Sequence, residues 1–207
     1  MNEILLHPTY FPCIAQMTAV AQAKKVVFEL EDNYQKQTYR NRTHIAHANG
    51  KLVLTVPILH SKGTGRQKTK DVKVENNFPW QEQHWKSLQS AYRTSPYFEF
   101  YEDDLEPFFK EPVEELMTHN LTIFTFLYEL LGLETPYEFS LTYEKNPPQT
   151  DLRHLVNAKQ SPSHKLMPYT QVLEANHGFL PNLSVLDLLF NEGPNALMYL
   201  ESQEVVL

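Results

Sequence analysis

The hydrophobic pattern at the start of the chain predicts a strand, a helix and a second strand. The apolar run from Glu3 to Leu6 is typical of a strand, and apolar side chains then recur at helical spacing at Ile14, Met17 and Ala21. A period of two over Val26 to Leu30 predicts the next strand. Such a β-α-β unit has parallel strands joined by a right-handed crossover. We therefore expect the loop after the first strand and the acidic end of the second to share one sheet edge, where open α/β sheets bind ligands.

The remaining pattern places strands before helices. A turn at Asn49-Gly50 precedes a strand from Lys51 to Ile58, and Val72 to Glu75 is a further short strand. The later segments are predicted as helices over Trp80–Thr94, Pro112–His119, Leu121–Leu131 with Asn120 as its cap, Asp151–Lys159, Asn182–Leu189 and Pro194–Leu200, with a strand at Tyr137–Tyr143. This is an α/β fold in one domain over 1–207, with an N-terminal β-α-β unit and mixed sheet followed by a mainly helical C-terminal half packed on it.

Composition narrows the classes of function. The net charge is -7 and the pI about 5.7, so the whole molecule repels nucleic-acid backbones, and an anion must meet a local basic patch. The longest apolar segment, Leu121 to Leu133, is shorter than the ~20 residues that a membrane span requires. Cys13 is the only cysteine, which excludes an internal disulfide and is typical of a reducing compartment. A cytoplasmic protein without a membrane span is expected.

The richest polar segment runs from Glu31 to His44, directly after the second predicted strand. It combines two acids with arginine, lysine, amide and tyrosine side chains. Arginine binds phosphate or carboxylate through paired N–H groups, amides bind hydroxyls, and tyrosine offers a flat surface for a ring. We predict that this segment binds a small anionic substrate, such as a nucleotide sugar, through Tyr34, Lys36, Gln37, Arg40, Asn41 and Arg42, together with Tyr10 from the first loop. The alternative is a solvated loop whose charges pair with each other.

Two other segments could contribute. The basic segment His60 to Lys70 suits phosphate by composition, but its glycines are wrongly spaced for a Walker or dinucleotide loop, and a basic hairpin tip is the alternative. His7 could activate the thiol of Cys13, although a lone cysteine that opens a helix is more often a packed residue. The histidine spacing indicates no metal site, and no cofactor is predicted.

The general base is expected among residues close to this segment. Glu31 follows the second strand, and His84 lies in an aromatic cluster around Trp85 and Tyr92. An imidazole beside a basic pocket can accept a proton, but structural histidines are the commoner case. The candidate catalytic residues are therefore Glu31, His84 and His7.

An ordered set of short motifs resembles the WbqC-like protein family and extends over nearly the whole chain. The motifs are His7-Pro-Thr-Tyr-Phe-Pro12, Lys36-Gln-Thr-Tyr-Arg-Asn-Arg42, Leu54-Thr-Val-Pro-Ile58, His84-Trp85, Ala91-Tyr92, Ser95-Pro-Tyr-Phe98, Tyr169-Thr-Gln171 and Phe179-Leu-Pro-Asn-Leu-Ser-Val-Leu-Asp-Leu-Leu-Phe-Asn191. Each is weak alone, but their combination in this order is specific.

This resemblance implies a bacterial protein that acts in surface-polysaccharide (O-antigen) biosynthesis. The corresponding hypothesis is a transferase-type enzyme, with acyl or aminoacyl transfer to a nucleotide-linked amino sugar as its specific form. The absence of a complete catalytic motif keeps a non-catalytic binding or assembly protein as the alternative. A third possibility, local nucleic-acid binding through Arg40, Arg42 and the basic loop, has suitable side chains but is opposed by the net negative charge.

Overall fold

A four-stranded parallel sheet combines two strands from the start of the chain with two from residues 137–151. The computed structural model describes residues 2–59, 65–159 and 165–204. The sheet consists of β1 (Glu3–Leu6), β2 (Lys25–Phe28), β5 (Tyr137–Phe139) and β6 (Thr150–Asp151), in the order β5-β2-β1-β6. A separate antiparallel hairpin consists of β3 (Arg42–His47) and β4 (Gly50–Thr55). The α/β prediction is thus confirmed, with its strands divided between two sheets.

Eight helices lie in the described ranges, seven of them after β4. They are α1 (Ile14–Gln22), α2 (Trp80–Tyr92), α3 (Phe98–Leu105), α4 (Pro107–Lys110), α5 (Leu116–Leu130), α6 (Glu174–His177), α7 (Val185–Glu192) and α8 (Ala196–Ser202), with short 3-10 turns at Thr69–Asp71, Arg153–Val156 and Gly193–Asn195. Within the described ranges, no helix has the length and apolar character needed to cross a membrane.

The predicted β-α-β unit is confirmed. β1 pairs with β2 in parallel, with Leu6 opposite Phe28, and α1 connects the two strands. Seven consecutive residues of α1, from Ile14 to Val20, are buried. A helix that is buried on nearly all sides belongs to the interior. It ends near Ala23, and Lys24 separates it from β2, which begins at Lys25.

One helix predicted between residues 98 and 131 is wrong, and the next begins earlier than predicted. Residues 112–115 are not helical; α5 begins at Leu116 and contains the helix predicted from Leu121, so Asn120 is no cap. Asn120 lies within α5, and its side-chain amide donates to the backbone carbonyl of Arg40 (2.7 Å). The two residues are 80 positions apart in the sequence. The acidic segment Phe98–Leu105 forms α3, although the sequence pattern predicts no helix there.

One core joins the two halves of the chain. A continuous cluster of buried apolar side chains extends from Ile4 to Leu200. On β2 and β5, Phe28 and Tyr137 make ring contacts with Phe124 of α5 at 4.6 and 5.3 Å between ring centroids. These contacts pack α5 against the β2–β5 side of the sheet.

Candidate functional site at the carboxyl ends of the parallel strands

Polar side chains follow every strand of the parallel sheet at its carboxyl end. His7 follows β1, Glu29 follows β2, Ser140 follows β5, and Asp151 is the last residue of β6. The chain extends the sheet from β1 to β2 and β5 on one side, and then places β6 on the other side of β1. Such a change of direction is the point at which open parallel sheets bind ligands. The expectation that the loop after β1 and the acidic end of β2 share an edge is confirmed.

His7, Asp32 and Arg40 form a compact polar cluster at this edge. One terminal nitrogen of Arg40, Nη2, lies 2.7 Å from Nε2 of His7 and 3.1 Å from Oδ2 of Asp32. Because a guanidinium group only donates, the Nε2 lone pair of His7 accepts this bond. The imidazole is then neutral and carries its proton on Nδ1. Asp32 and His7 both accept from the same Arg40 nitrogen.

Burial supports this assignment of charges. Burial lowers the pKa of His7 to about 4, so the ring is neutral at pH 7. Burial also lowers the pKa of Arg40 to about 10, which leaves the guanidinium charged. Burial acts to raise the pKa of Asp32, but the Asn33 N–H and the charge of Arg40 act to lower it, and the pKa lies below its usual value. The cluster therefore contains one cation, one anion and one neutral imidazole.

Backbone contacts from distant segments hold Arg40 in the interior. The neighbouring Tyr39 donates its N–H to the Val156 carbonyl (2.8 Å), and Tyr10 donates to the Tyr39 carbonyl (3.0 Å). Asn120 donates to the Arg40 carbonyl, as described above. The turn also contains Gln37 in the left-handed region (φ 62°). The Arg40 side chain is consequently fully buried, whereas 14% of the Asp32 side chain remains exposed.

A second charged group lies beside the first and involves the later strands. Glu29 is buried, and its carboxylate accepts from Ser140 Oγ (2.9 Å) and from the Glu31 N–H (2.8 Å). Arg153 lies 3.6 Å from the other Glu29 oxygen and makes a paired contact with Asp151 through Nε (2.9 Å) and Nη2 (2.7 Å). These bonds connect the ends of β2, β5 and β6.

Two cavities open at this edge. One, of about 250 Å³, is lined by Asp32, Gln35, Tyr143, Arg153, His154, Val156 and Asn157. The Arg153 guanidinium lies over the Tyr143 ring, 5.1 Å from its centroid. The other, of about 330 Å³, has Glu29 and Ser140 in its wall. The first cavity offers a carboxylate, a cation, amides and an aromatic ring, which are the groups that bind polar, hydroxyl-bearing molecules.

Buried polar atoms without partners are concentrated near the same edge. Of the nine such side-chain atoms among the described residues, four belong to His7 (Nδ1), Arg40 (Nε), Asn41 (Oδ1) and Arg42 (Nε). Native interiors contain few of these atoms, because each unmade hydrogen bond costs about 1–3 kcal/mol. With His7 in the tautomer assigned above, three of these four are N–H donors, which oxygen atoms of a ligand or of water would satisfy.

The predicted binding residues fall into different environments. Tyr34 is half-buried; burial raises its pKa, while the charges of Arg42 and Arg40 act to lower it. Lys36 and Gln37 are exposed. Asn41 is buried and donates to the Val56 carbonyl (2.9 Å). Of the predicted set, His7 and Arg40 are in direct contact.

Glu31 lies next to the cluster but is paired. Both Lys68 and Lys70 donate to its carboxylate, and these bonds lower the pKa of Glu31. The described end of the basic loop therefore lies against the site, and the Thr69 N–H also donates to the Asp32 carbonyl (2.9 Å). Lys62 and Gly63 lie outside the described residues.

Tyr10 and His84 lie together in the core. The Tyr10 hydroxyl is 2.9 Å from Nδ1 of His84, and both residues are at most 5% exposed. Burial lowers the pKa of His84 to about 4 and raises that of the buried Cys13 thiol to about 11. The ring of Tyr10 has no free face for a ligand in this arrangement. Within the described part of the chain, no group of three or more potential metal ligands is present.

Several residues of this edge are absent from the predicted site. They are Glu29, Asp32, Ser140, Asp151 and Arg153. Their position in the sequence could have indicated them, since each follows or ends a strand of the parallel sheet. Asp151 instead has the pattern of a helix cap, and its carboxylate does accept the Arg153 N–H (3.1 Å) at the start of a short 3-10 turn.

Comparison with known proteins places the chain in a family. The model of the WbqC-like protein family matches residues 7–165. The chain belongs to the WbqC-like family. This match includes His7, Asp32, Arg40 and Arg153, so the strand-end cluster of this WbqC-like protein lies wholly within the family region. The chain is also 24% identical to the uncharacterized protein Rv1507c of Mycobacterium tuberculosis over 95% of its length and 96% of that protein. No solved structure matches it.

Proposed function

We propose that this WbqC-like protein is a transferase-type enzyme that acts on a small, anionic, hydroxyl-bearing substrate at the carboxyl ends of its parallel strands. The observation that carries the proposal is the buried cluster of His7, Asp32 and Arg40, whose carboxylate borders a polar cavity. Burying charged groups costs free energy that apolar residues in the same place would not cost. Buried charge clusters are therefore often found at functional sites. Nucleotide-linked amino sugars and acyl donors are the first substrates to test, as the family resemblance implies. A cytoplasmic location is part of the same proposal and depends on the single-cysteine composition.

Asp32 is the proposed proton acceptor. Its pKa lies below the usual value, so it is ionised at pH 7, and its side chain reaches the 250 Å³ cavity. It would accept a proton from a substrate hydroxyl or amine as that group attacks the carbonyl carbon of an acyl thioester; the new C–O or C–N bond forms as the C–S bond breaks, and the thiol leaves with a proton from solvent. Arg40 and His7 are positioning residues: the guanidinium fixes the carboxylate, and the neutral His7 ring occupies the second N–H of Arg40 Nη2.

The cations around the cavity are the proposed binding groups for the anion. Arg153 lines the cavity, and Lys68 and Lys70, with 45% and 43% of their side chains exposed, pair with Glu31, the residue before Asp32. The Tyr143 ring, under the Arg153 guanidinium, is placed to pack against a sugar or base. Gln35 and Asn157 supply amides for hydroxyl groups.

The proposal is tested by binding and turnover together. Isothermal titration with nucleotide sugars, an acyl thioester and inorganic phosphate measures binding, and mass spectrometry of mixtures detects the transferred group. Asp32→Asn should lower turnover by about 100-fold or more, because it removes the proton acceptor. Asp103→Asn, at an exposed position of α3, removes the same charge elsewhere and should keep wild-type turnover. Folded wild-type protein that binds none of the compounds would contradict the proposal.

A non-catalytic binding protein is the second candidate. It is favoured by the burial of His84 and by the pairing of the site carboxylates with cations: Glu31 with two lysines, Asp151 with Arg153, and Asp32 with Arg40. Binding of a nucleotide sugar by wild type without any product, across the acyl donors tested, would support this candidate over the enzyme.

A further inference from the structure

A larger cavity lies away from the strand ends, between α4 and the start of α5. It has a volume of about 460 Å³, which is within the range of small-molecule sites. Phe108 and Val113 form apolar walls, and Glu111, Glu114 and Glu115 surround them. None of these residues contributes to the cluster of His7, Asp32 and Arg40.

His119 of α5 borders this cavity and has an unpaired, buried polar atom. It lines the cavity and is 8% exposed, and its Nε2 atom has no hydrogen-bond partner. Its ring stacks on Tyr10 with 5.8 Å between centroids and lies 6.3 Å from the Phe108 ring. Burial lowers the pKa of His119 to about 4, so the ring is neutral and can accept a hydrogen bond at pH 7.

The charge around the cavity is negative. Of its three glutamates, Glu115 pairs with Lys73 (2.6 Å), and Lys73 also lies near Glu114. Within the described ranges, Glu111 and Glu114 form no ion pair. Three carboxylates and one ammonium group leave about two negative charges beside apolar walls. A ligand that matches this surface is a cation with an apolar body, and the Phe108 ring could contact the cation through its face.

We propose that this cavity binds a small organic amine in its protonated form, with the ammonium group between Glu111 and Glu114 and the apolar body against Phe108 and Val113. The ligand would donate an N–H to His119 after a small displacement of the ring. This site is separate from the proposed transferase site, so either can fail without the other.

The experiment is isothermal titration of the full chain with phenethylamine, phenethyl alcohol and phenylpropionate. These probes share an aromatic body and differ in charge. Phenethylamine should bind about tenfold more tightly than the alcohol, and phenylpropionate should bind least. Glu111→Gln combined with Glu114→Gln should weaken amine binding by about fivefold or more, and both positions are exposed, so folding is retained.

The matched control is Glu99→Gln combined with Glu134→Gln, which removes two exposed carboxylates elsewhere. This control should keep wild-type affinity apart from a small effect of net charge. His119→Phe retains a ring against Tyr10 and should weaken the amine more than the alcohol. Equal affinity for amine and alcohol, or equal losses in the cavity and control variants, would overturn the proposal.

Discussion

Mild acid should destabilise this protein because three of its histidines are buried in the neutral form. His7, His84 and His119 are 4%, 5% and 8% exposed, and burial lowers the pKa of each from 6.5 to about 4. In the unfolded chain the same groups take up protons near pH 6.5. The unfolded state therefore binds more protons between about pH 6.5 and 4, and stability falls as the pH falls through this window.

The size of the effect follows from these values. Between about pH 7.5 and 5, one such histidine loses about 2 kcal/mol of folding free energy, and three lose about 6 kcal/mol. This is a large part of the 5–15 kcal/mol that stabilises a typical domain. The window lies above the pKa of ordinary carboxyl groups, so Asp32 and Glu31, whose pKa values are lowered, contribute only at more acid pH.

Urea unfolding at the two pH values measures this difference, with Trp80 and Trp85 as fluorescent reporters. His119→Phe removes one of the three groups and should reduce the pH-dependent loss by about a third. His154→Gln, at an exposed position, is the control and should keep the wild-type difference. An unfolding free energy that is the same at both pH values would refute the assignment of three neutral buried histidines.

Three further predictions concern single sites. A double-mutant cycle with Asp32→Asn and Arg40→Met, measured by urea unfolding, should give a coupling of about 2–3 kcal/mol, since each single change leaves an unpaired group; additive effects would contradict the pairing. Gly193→Ala should cost about 2 kcal/mol in thermal unfolding, because φ is 53° and the new Cβ would lie 2.6 Å from the Tyr97 ring. Cys13 is buried, and its pKa is raised to about 11. In the folded protein it should react with iodoacetamide about 100-fold more slowly than in the urea-unfolded chain; equal rates would show an accessible thiol.

Local pattern was sufficient to predict the opening β-α-β unit, but it missed β3, which lies in the segment predicted to be polar and basic. β1 begins and ends where the apolar run does, and α1 and β2 differ from prediction by two residues or fewer at most ends. The pattern failed where contacts between distant segments determine the role of a residue. Asn120 has the character of a helix cap, but its amide is used within α5 to hold the Arg40 carbonyl. That contact spans 80 residues and has no local signature.

For the candidate site, the sequence indicated the location better than the residues that form it. The expectation that His7 would meet residues after β2 followed from the β-α-β unit, and the structure brings it to Asp32 and Arg40. Asp151 and Arg153 join this edge because β6 pairs with β1 at a separation of more than 140 residues. Single-sequence periodicity carries no information about such a pairing. Tyr10 was expected to stack on a ligand, but its ring packs against Trp80, His84 and His119.

The most direct test of the proposed site is backbone amide NMR of the ¹⁵N-labelled chain, titrated with a nucleotide-linked amino sugar. The largest shift changes should occur at the strand ends, around His7, Asp32, Ser140 and Arg153. Saturable changes confined to another surface, such as the cavity around His119, would contradict a ligand site at the carboxyl ends of the parallel strands.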